Sequence, residues 1–180
     1  MLQITIPERE YYDNSKQEFV YLKEQKLVLE HSLISISKWE SKWKKPFLDR
    51  KPKSIEESAD YIRCMSLTKD INEITLRWLP QDVYQKINAY IKDSMTATWF
   101  NDRNQKPANG PVVTSELIYY WMVAFNIPFE CEKWHLNRLL TLIKVCEIKN
   151  SPKKKMSKKE ILARNRALNE ARKLNTGTNG

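Results

Sequence analysis

Residues 114–149 read TSELIYYWMVAFNIPFECEKWHLNRLLTLIKVCEIK, and the fold turns on how this stretch is taken. Nine consecutive apolar residues, Leu117 to Phe125, follow a Thr114-Ser115-Glu116 start signal. Asn126-Ile127-Pro128 breaks the run. A second apolar run begins at Trp134 and carries Leu136, Leu139, Leu140, Leu142, Ile143, Val145, Cys146 and Ile148. The first run falls far short of the roughly 20 apolar residues needed to cross a bilayer. The reading is two helices joined by a proline turn, which must bury each other or a partner. This pair is expected to form the core, with the earlier chain packed round it and the later chain outside.

The chain has 180 residues, enough for one domain with a substantial core and an appendage. Six tryptophans and eight tyrosines suit a packed interior rather than a disordered coil. Only Gly110 precedes the two glycines of the last four residues, so phosphate-cradling loops and dinucleotide folds are excluded. The three cysteines, Cys64, Cys131 and Cys146, are odd in number and widely spread. MLQITIPERE has no basic stretch leading into an apolar run, so no secretory leader is expected. Both features point to a reducing compartment with buried thiols.

Charge is unevenly placed. Of 31 Lys/Arg and 22 Asp/Glu, nine and two fall in 151–180, leaving 22 and 20 in the first 150 residues. The body is near neutral and the tail is strongly basic, so total charge is no argument for nucleic-acid binding by the body.

Upstream, LQITI at 2–6 alternates with period two and predicts a strand. PEREYYDNSKQ reads as a polar loop. Phe19–Leu22 and Leu27–Leu29 read as short strands around a Lys23–Lys26 turn. Ser32 caps a helix to Lys44, with Ile36, Trp39 and Trp43 on one face, Ser35, Lys38, Lys42 and Lys45 on the other, and Glu40 within reach of Lys44. Ser54 and Glu57 form a capping box opening a second helix, with Ile55, Ala59, Ile62 and Met65 or Ser66 as its stripe and Tyr61 and Cys64 beside it. A weaker helix covers Ile71–Leu79, and residues 80–92 form another through Val83, Ile87, Tyr90 and Ile91. Thr96–Phe100 reads as an edge strand, and Asn101–Gly110 as a loop suited to facing a partner. Residues 157–174 predict a basic helix with a thin stripe through Ile161, Leu168 and Ala171. The fold class is therefore α+β and predominantly α-helical. A small antiparallel sheet of two or three strands packs on a helical bundle over 1–150, and a basic, partly helical tail occupies 151–180.

Little chemistry is visible. Cys131 and His135 stand at i, i+4, but structural zinc wants four ligands in close pairs, and the second pair is missing. Cysteine–histidine catalysis needs a thiolate and an oriented third group, whereas these surroundings are apolar. Paired-carboxylate, Walker and serine-elbow patterns are absent. The chain reads as a non-enzyme without cofactor or metal. Trp39 and Trp43 interleave with lysines as a base-stacking strip would. They share the apolar face with Ile36, however, which favours a core role. The basic tail suits nucleic acid, an anionic surface or an acidic partner, or serves only for solubility. Its stripe lacks bulky aromatics, which disfavours membrane binding.

Four strings carry a family likeness: LEHSLISISKWESKWKKPFL at 29–48, MTATWF at 95–100, 115–150, and KKKMSKKEILARNRALNEARK at 153–173. The chain resembles the tail assembly chaperones encoded in tail-gene clusters of long-tailed phages and prophages of Gram-positive bacteria. The resemblance implies a non-enzymatic factor in the host cytoplasm that coats the tape measure protein, keeps it soluble, yields to the tail tube protein and is absent from the finished virion. It brings no catalytic residues. Candidate partner contacts are Trp39 and Trp43 if exposed, the Asn101–Gly110 loop, and Arg164, Arg166, Arg172 and Lys173 on the tail. Self-association is a further expectation. The competing classes are a structural virion component, such as a tail or head-tail connector subunit, and a small nucleic-acid-binding protein.

Overall fold

A computed structural model describes residues 1–13, 17–69, 71–100, 112–151 and 158–176. The fold is α+β and mostly helical. The chain divides into two compact units, Met1–Glu147 and Ile148–Gly180.

The first unit is centred on helix α1, Leu33–Trp43. Ser32 N–H donates to Ser35 Oγ at 3.0 Å, which fixes the first turn. Lys44 ends the helix in the left-handed region at φ 53°, and Pro46 follows. Leu33, Ile36 and Trp39 are buried along its length. Helix α2 (Ile55–Met65), helix α5 (Ser115–Ala124) and a 3₁₀ turn at Phe129–Lys133 all pack on it. The centre of the core is thus α1, where the sequence pointed to the 114–149 pair. The two apolar runs of that pair do enter the same core, through Ile118 and Met122 and through Leu136, Leu139 and Ile143.

The N-terminal strands form one long ribbon. Strand β1 (Leu2–Ile6) pairs antiparallel with β4 (Gln25–Leu29), and β2 (Arg9–Asp13) pairs with β3 (Glu18–Leu22). The pairs Leu2–Leu29, Ile6–Gln25, Arg9–Leu22 and Asp13–Glu18 all keep a single register. Pro7 and Glu8, facing Lys23 and Glu24, interrupt it, since proline has no N–H for a ladder. This corrects two expectations. The PEREYYDNSKQ segment contains β2 rather than being only a loop. Lys23–Lys26 does not close a hairpin but faces the break. Ile4, Ile6, Leu27 and Leu29 bury the base of the ribbon. The outer edge of β4 is covered by the end of α2: Leu67 N–H donates to Val28 O, and Glu30 N–H to Met65 O, both at 2.8 Å.

Helix α2 opens with the expected box, Glu57 N–H to Ser54 Oγ at 3.1 Å and Ser54 N–H to Glu57 Oε2 at 2.8 Å. Its buried face runs through Tyr61, Ile62 and Met65, while Ile55 is exposed. A first-turn side chain leans back past the helix start, where nothing packs against Ile55. Helix α3 is short (Glu73–Arg77), and α4 (Gln81–Lys92) buries Val83, Ile87 and Tyr90. Thr96–Phe100 joins no ladder: Thr98 N–H turns back to Thr96 Oγ1 at 3.1 Å, which bends the chain.

Glu40 does not pair with Lys44. Its Oε1 accepts from Phe47 N–H at 2.7 Å and its Oε2 from Ser115 N–H at 2.8 Å. A carboxylate here answers two amides that would otherwise be orphaned, one of them at the positive end of α5. Helix α5 ends in a Schellman turn. Asn126 has φ 52°, Ile127 N–H reaches Met122 O at 2.8 Å, and the side chains of both end residues are buried. Helix α6 runs Leu136–Asn150.

The second unit carries helix α7, Lys158–Thr176, with its described side chains exposed. Among the described residues, no helix is long and apolar enough to cross a membrane.

Candidate partner surface

The all-apolar run of α5 is covered on one side only. Ser115, Ile118 and Met122 face the core. On the opposite stripe Glu116, Tyr120 and Val123 recur at i, i+4 and i+7. Tyr120 is 65 % and Val123 60 % exposed. Phe129, on the 3₁₀ turn after Pro128, is 55 % exposed and lies 6.4 Å, ring to ring, from Tyr119. Tyr119 OH donates to Glu132 Oε2 at 2.8 Å, and burial followed by that carboxylate pushes the phenol up to about 12. Tyr119 therefore stays neutral and fixed at the edge of the patch. Glu116 lies at the N-terminus of α5, where its own backbone amide first, and then the Thr114 and Ser115 side chains, hold its carboxyl below the usual range. The patch is apolar at its centre, with carboxylates at 116, 130 and 132 on its rim. Runs of exposed apolar side chains on a folded unit mark contact sites.

A second exposed aromatic group lies on β2 and β3. Tyr12 and Phe19 are cross-strand neighbours with rings 5.0 Å apart edge to face, and Phe19 is 73 % exposed. Tyr21 OH donates to Glu8 Oε2 at 2.6 Å on the same face.

The residues singled out in the sequence are scattered. Trp39 is 1 % exposed, and its Nε1 donates to Glu57 O at 2.9 Å, so it is a core side chain and not a surface contact. Trp43 is half-buried, stacked on Trp39, and its Nε1 donates to Asp60 Oδ2 at 2.8 Å. Asp60 also takes Lys42 and Arg63 at 2.6 Å. These groups line a cleft of about 190 Å³ with Leu76. That is below the roughly 300 Å³ at which ligand pockets begin. Arg164, Arg166, Arg172 and Lys173 are exposed on α7. Helical spacing puts Arg166 and Lys173 opposite Ile161 and Leu168, with Arg164 and Arg172 flanking those apolar residues. The Asn101–Gly110 loop lies outside the described residues.

Cys131 and His135 are not arranged as a pair for chemistry. Burial pushes the Cys131 thiol up. His135 Nε2 donates to Tyr90 O at 2.9 Å, leaving Nδ1 shielded from water without a partner. Its ring instead meets His31, edge to face, at 4.9 Å. His31 shares a hydrogen bond with the Tyr61 hydroxyl, and burial, followed by the His135 charge, pushes its pKa down to about 3. The two histidines of the chain thus meet edge to face, His31 buried and His135 half-buried, where β4, α2, α4 and α6 converge. Among the described residues no group of three or more His, Cys, Asp or Glu is placed to hold a metal ion.

Sequence reading missed the bare stripe of α5 because it assigned the whole run to the core. The available signal was its lack of a polar side: a helix apolar all round needs cover all round. No protein family, no curated protein and no solved structure matches the chain.

Proposed function

We propose that this chain is a non-enzymatic tail assembly chaperone of a long-tailed phage or prophage of Gram-positive bacteria. In this reading it binds the tape measure protein in the host cytoplasm and keeps it soluble while the tail tube assembles. It then yields to the tail tube protein and is left out of the virion. The observation that carries the reading is the bare apolar stripe of α5 with Phe129 beside it, held on a rigid core. A stripe of this kind suits a groove or face that receives an amphipathic segment of another chain. The family likeness of the four quoted strings supports the same assignment.

Co-expression tests it. The tape measure protein is expected to move into the soluble fraction when this chain is present, and to fall back when Val123→Glu and Tyr120→Glu are introduced together. An unchanged soluble fraction with the wild-type chain overturns the proposal. Recovery of the chain in purified particles would assign it to the virion instead. Removal of 151–180 reports whether Arg164, Arg166, Arg172 and Lys173 take part. If the tail binds nucleic acid, affinity will fall steeply with salt, with a slope set by the phosphates neutralised.

A further inference from the structure

The outer face of the β2–β3 ribbon carries Glu10, Tyr12, Phe19 and Tyr21, all of them exposed. Strand alternation puts these four on one side and Arg9, Tyr11, Val20 and Leu22 on the other, half-buried or buried. In the ladder Glu10 stands directly across from Tyr21, and Tyr12 across from Phe19. Tyr21 OH donates to Glu8 Oε2, which brings a second carboxylate to the same face. Three aromatic rings and two carboxylates therefore share one exposed area.

A contiguous group of exposed rings marks a contact site. The carboxylates define the kind of partner. Among the described residues Glu10 has no hydrogen bond and no ion pair, and Glu8 has only the Tyr21 hydroxyl. Lys23, at the break beyond Tyr21, is bound to neither. The Glu8 bond first, then burial, then the charges of Glu8 and Glu10, push the Tyr21 phenol up, so both carboxylates act on this ring. A purely apolar partner would cover these charges without pairing them, which is costly. A cation answers them and is also attracted to the ring faces. Of the two basic side chains arginine fits better. Its flat guanidinium stacks on a ring while its N–H groups donate sideways to a carboxylate.

Spacing sets the form of the partner. Glu8 and Glu10 are two residues apart on extended chain, which is about 7 Å. An extended segment directs alternate side chains to one side at the same interval. Arginines at positions i and i+2 of such a segment reach both carboxylates, with the rings of Tyr12, Phe19 and Tyr21 beneath them.

We infer that the outer face of the β2–β3 ribbon binds an extended, arginine-bearing segment of another protein. Glu8 and Glu10 take the guanidinium groups, and the three rings support their flat faces. This face is separate from the α5 stripe, and the inference does not rest on the chaperone reading.

The test is an NMR titration of the full chain with a blocked five-residue peptide that alternates threonine and arginine. Amide shifts are expected to move at residues 8–12 and 19–22 and to stay fixed along α5. Phe19→Ala removes one cation–ring contact and is expected to weaken binding about threefold to fivefold. Glu10→Gln is expected to weaken it by a similar factor of about three to five. Tyr12→Phe keeps the ring and is expected to bind as the wild type does. Citrulline in place of arginine keeps the shape without the charge and is expected to abolish binding. Lysine in place of arginine is expected to weaken it about twofold, and rising salt to weaken it further. Circular dichroism establishes that each variant folds. Absence of shifts on the ribbon at millimolar peptide overturns the inference. So does a citrulline peptide that binds equally, or folded Phe19→Ala and Glu10→Gln variants that bind as the wild type does. A lysine peptide that binds as tightly overturns the choice of arginine. A concentration-dependent dimer in sedimentation velocity, lost on Phe19→Ala, would assign the face to a second copy of this chain and overturn the inference as well.

Discussion

Helices α1 and α5 both feed the core, and they lie against each other, yet they are finished differently. Around α1 the apolar side is covered at Leu33, Ile36 and Trp39, and the polar groups are answered: Trp39 by Glu57 O, Trp43 and Lys42 by Asp60, Glu40 by two amides. Along α5 one stripe is buried to zero exposure at Ile118 and Met122, and the opposite stripe is bare at Tyr120 and Val123. Apolarity alone therefore does not locate a core. What distinguishes the two helices is whether neighbours exist to cover every apolar position. The first is a structural axle, and the second presents a surface.

That contrast can be broken or sharpened. The largest effect is expected from Trp39→Ala, which opens a cavity beside Phe47 and frees the Glu57 carbonyl. Denaturant unfolding should show a loss of about 3–5 kcal/mol. Next comes acid. An unfolded histidine takes a proton near pH 6.5, whereas folded His31 resists it to about 3. The unfolded chain binds more protons in that window, so stability falls as pH drops below 6.5. At pH 4.5 the loss from His31 is about 2–3 kcal/mol. Asp93 is the acidic group that acts on the neighbouring His135 and opposes part of its shift. Melting temperature against pH should flatten over this window in His31→Phe. Glu40→Gln follows, because an amide can accept at only one of its two positions. One buried N–H, at Phe47 or Ser115, is then left unanswered, with an expected loss of about 1–3 kcal/mol by chemical denaturation. The smallest effect is expected from Val123→Ser on the bare stripe of α5, within about 0.5 kcal/mol of wild type in the same assay. A loss of several kcal/mol there would mean that the stripe is covered, and the comparison would fail.

Much of this was legible locally. Ser32, Ser54 with Glu57, and Thr114 all mark helix starts where the chain places them, because capping is a short-range interaction between a side chain and the next turn. The ribbon was legible only at its base. Leu2, Ile4 and Ile6 alternate against a core, but β2 mixes charges with two adjacent tyrosines and has no clean buried face to announce it. Strand pairing was misread because Lys23 and Glu24 look like a turn, while the partner that makes them a break, Pro7, faces them across the ribbon but lies far upstream in the chain. The stripe of α5 was invisible for a different reason. A run with no polar position carries no phase, so periodicity cannot say which side is covered. The His31–His135 contact joins residues from opposite ends of the body, and nothing at either end signals it.

The Glu40–Ser115 bond spans 75 positions of chain. On the ribosome the ribbon and α1 leave the exit tunnel first, and the carboxylate then waits, hydrated, for an amide that has not yet been made. The side of α1 that α5 will cover is bare for the same interval. Translation must pass residue 115 before that flank is sealed, so a polypeptide released early would show it to whatever is nearby. Vectorial synthesis thus gives this small body its most vulnerable moment after the ribbon and α1 have emerged and before α5 has.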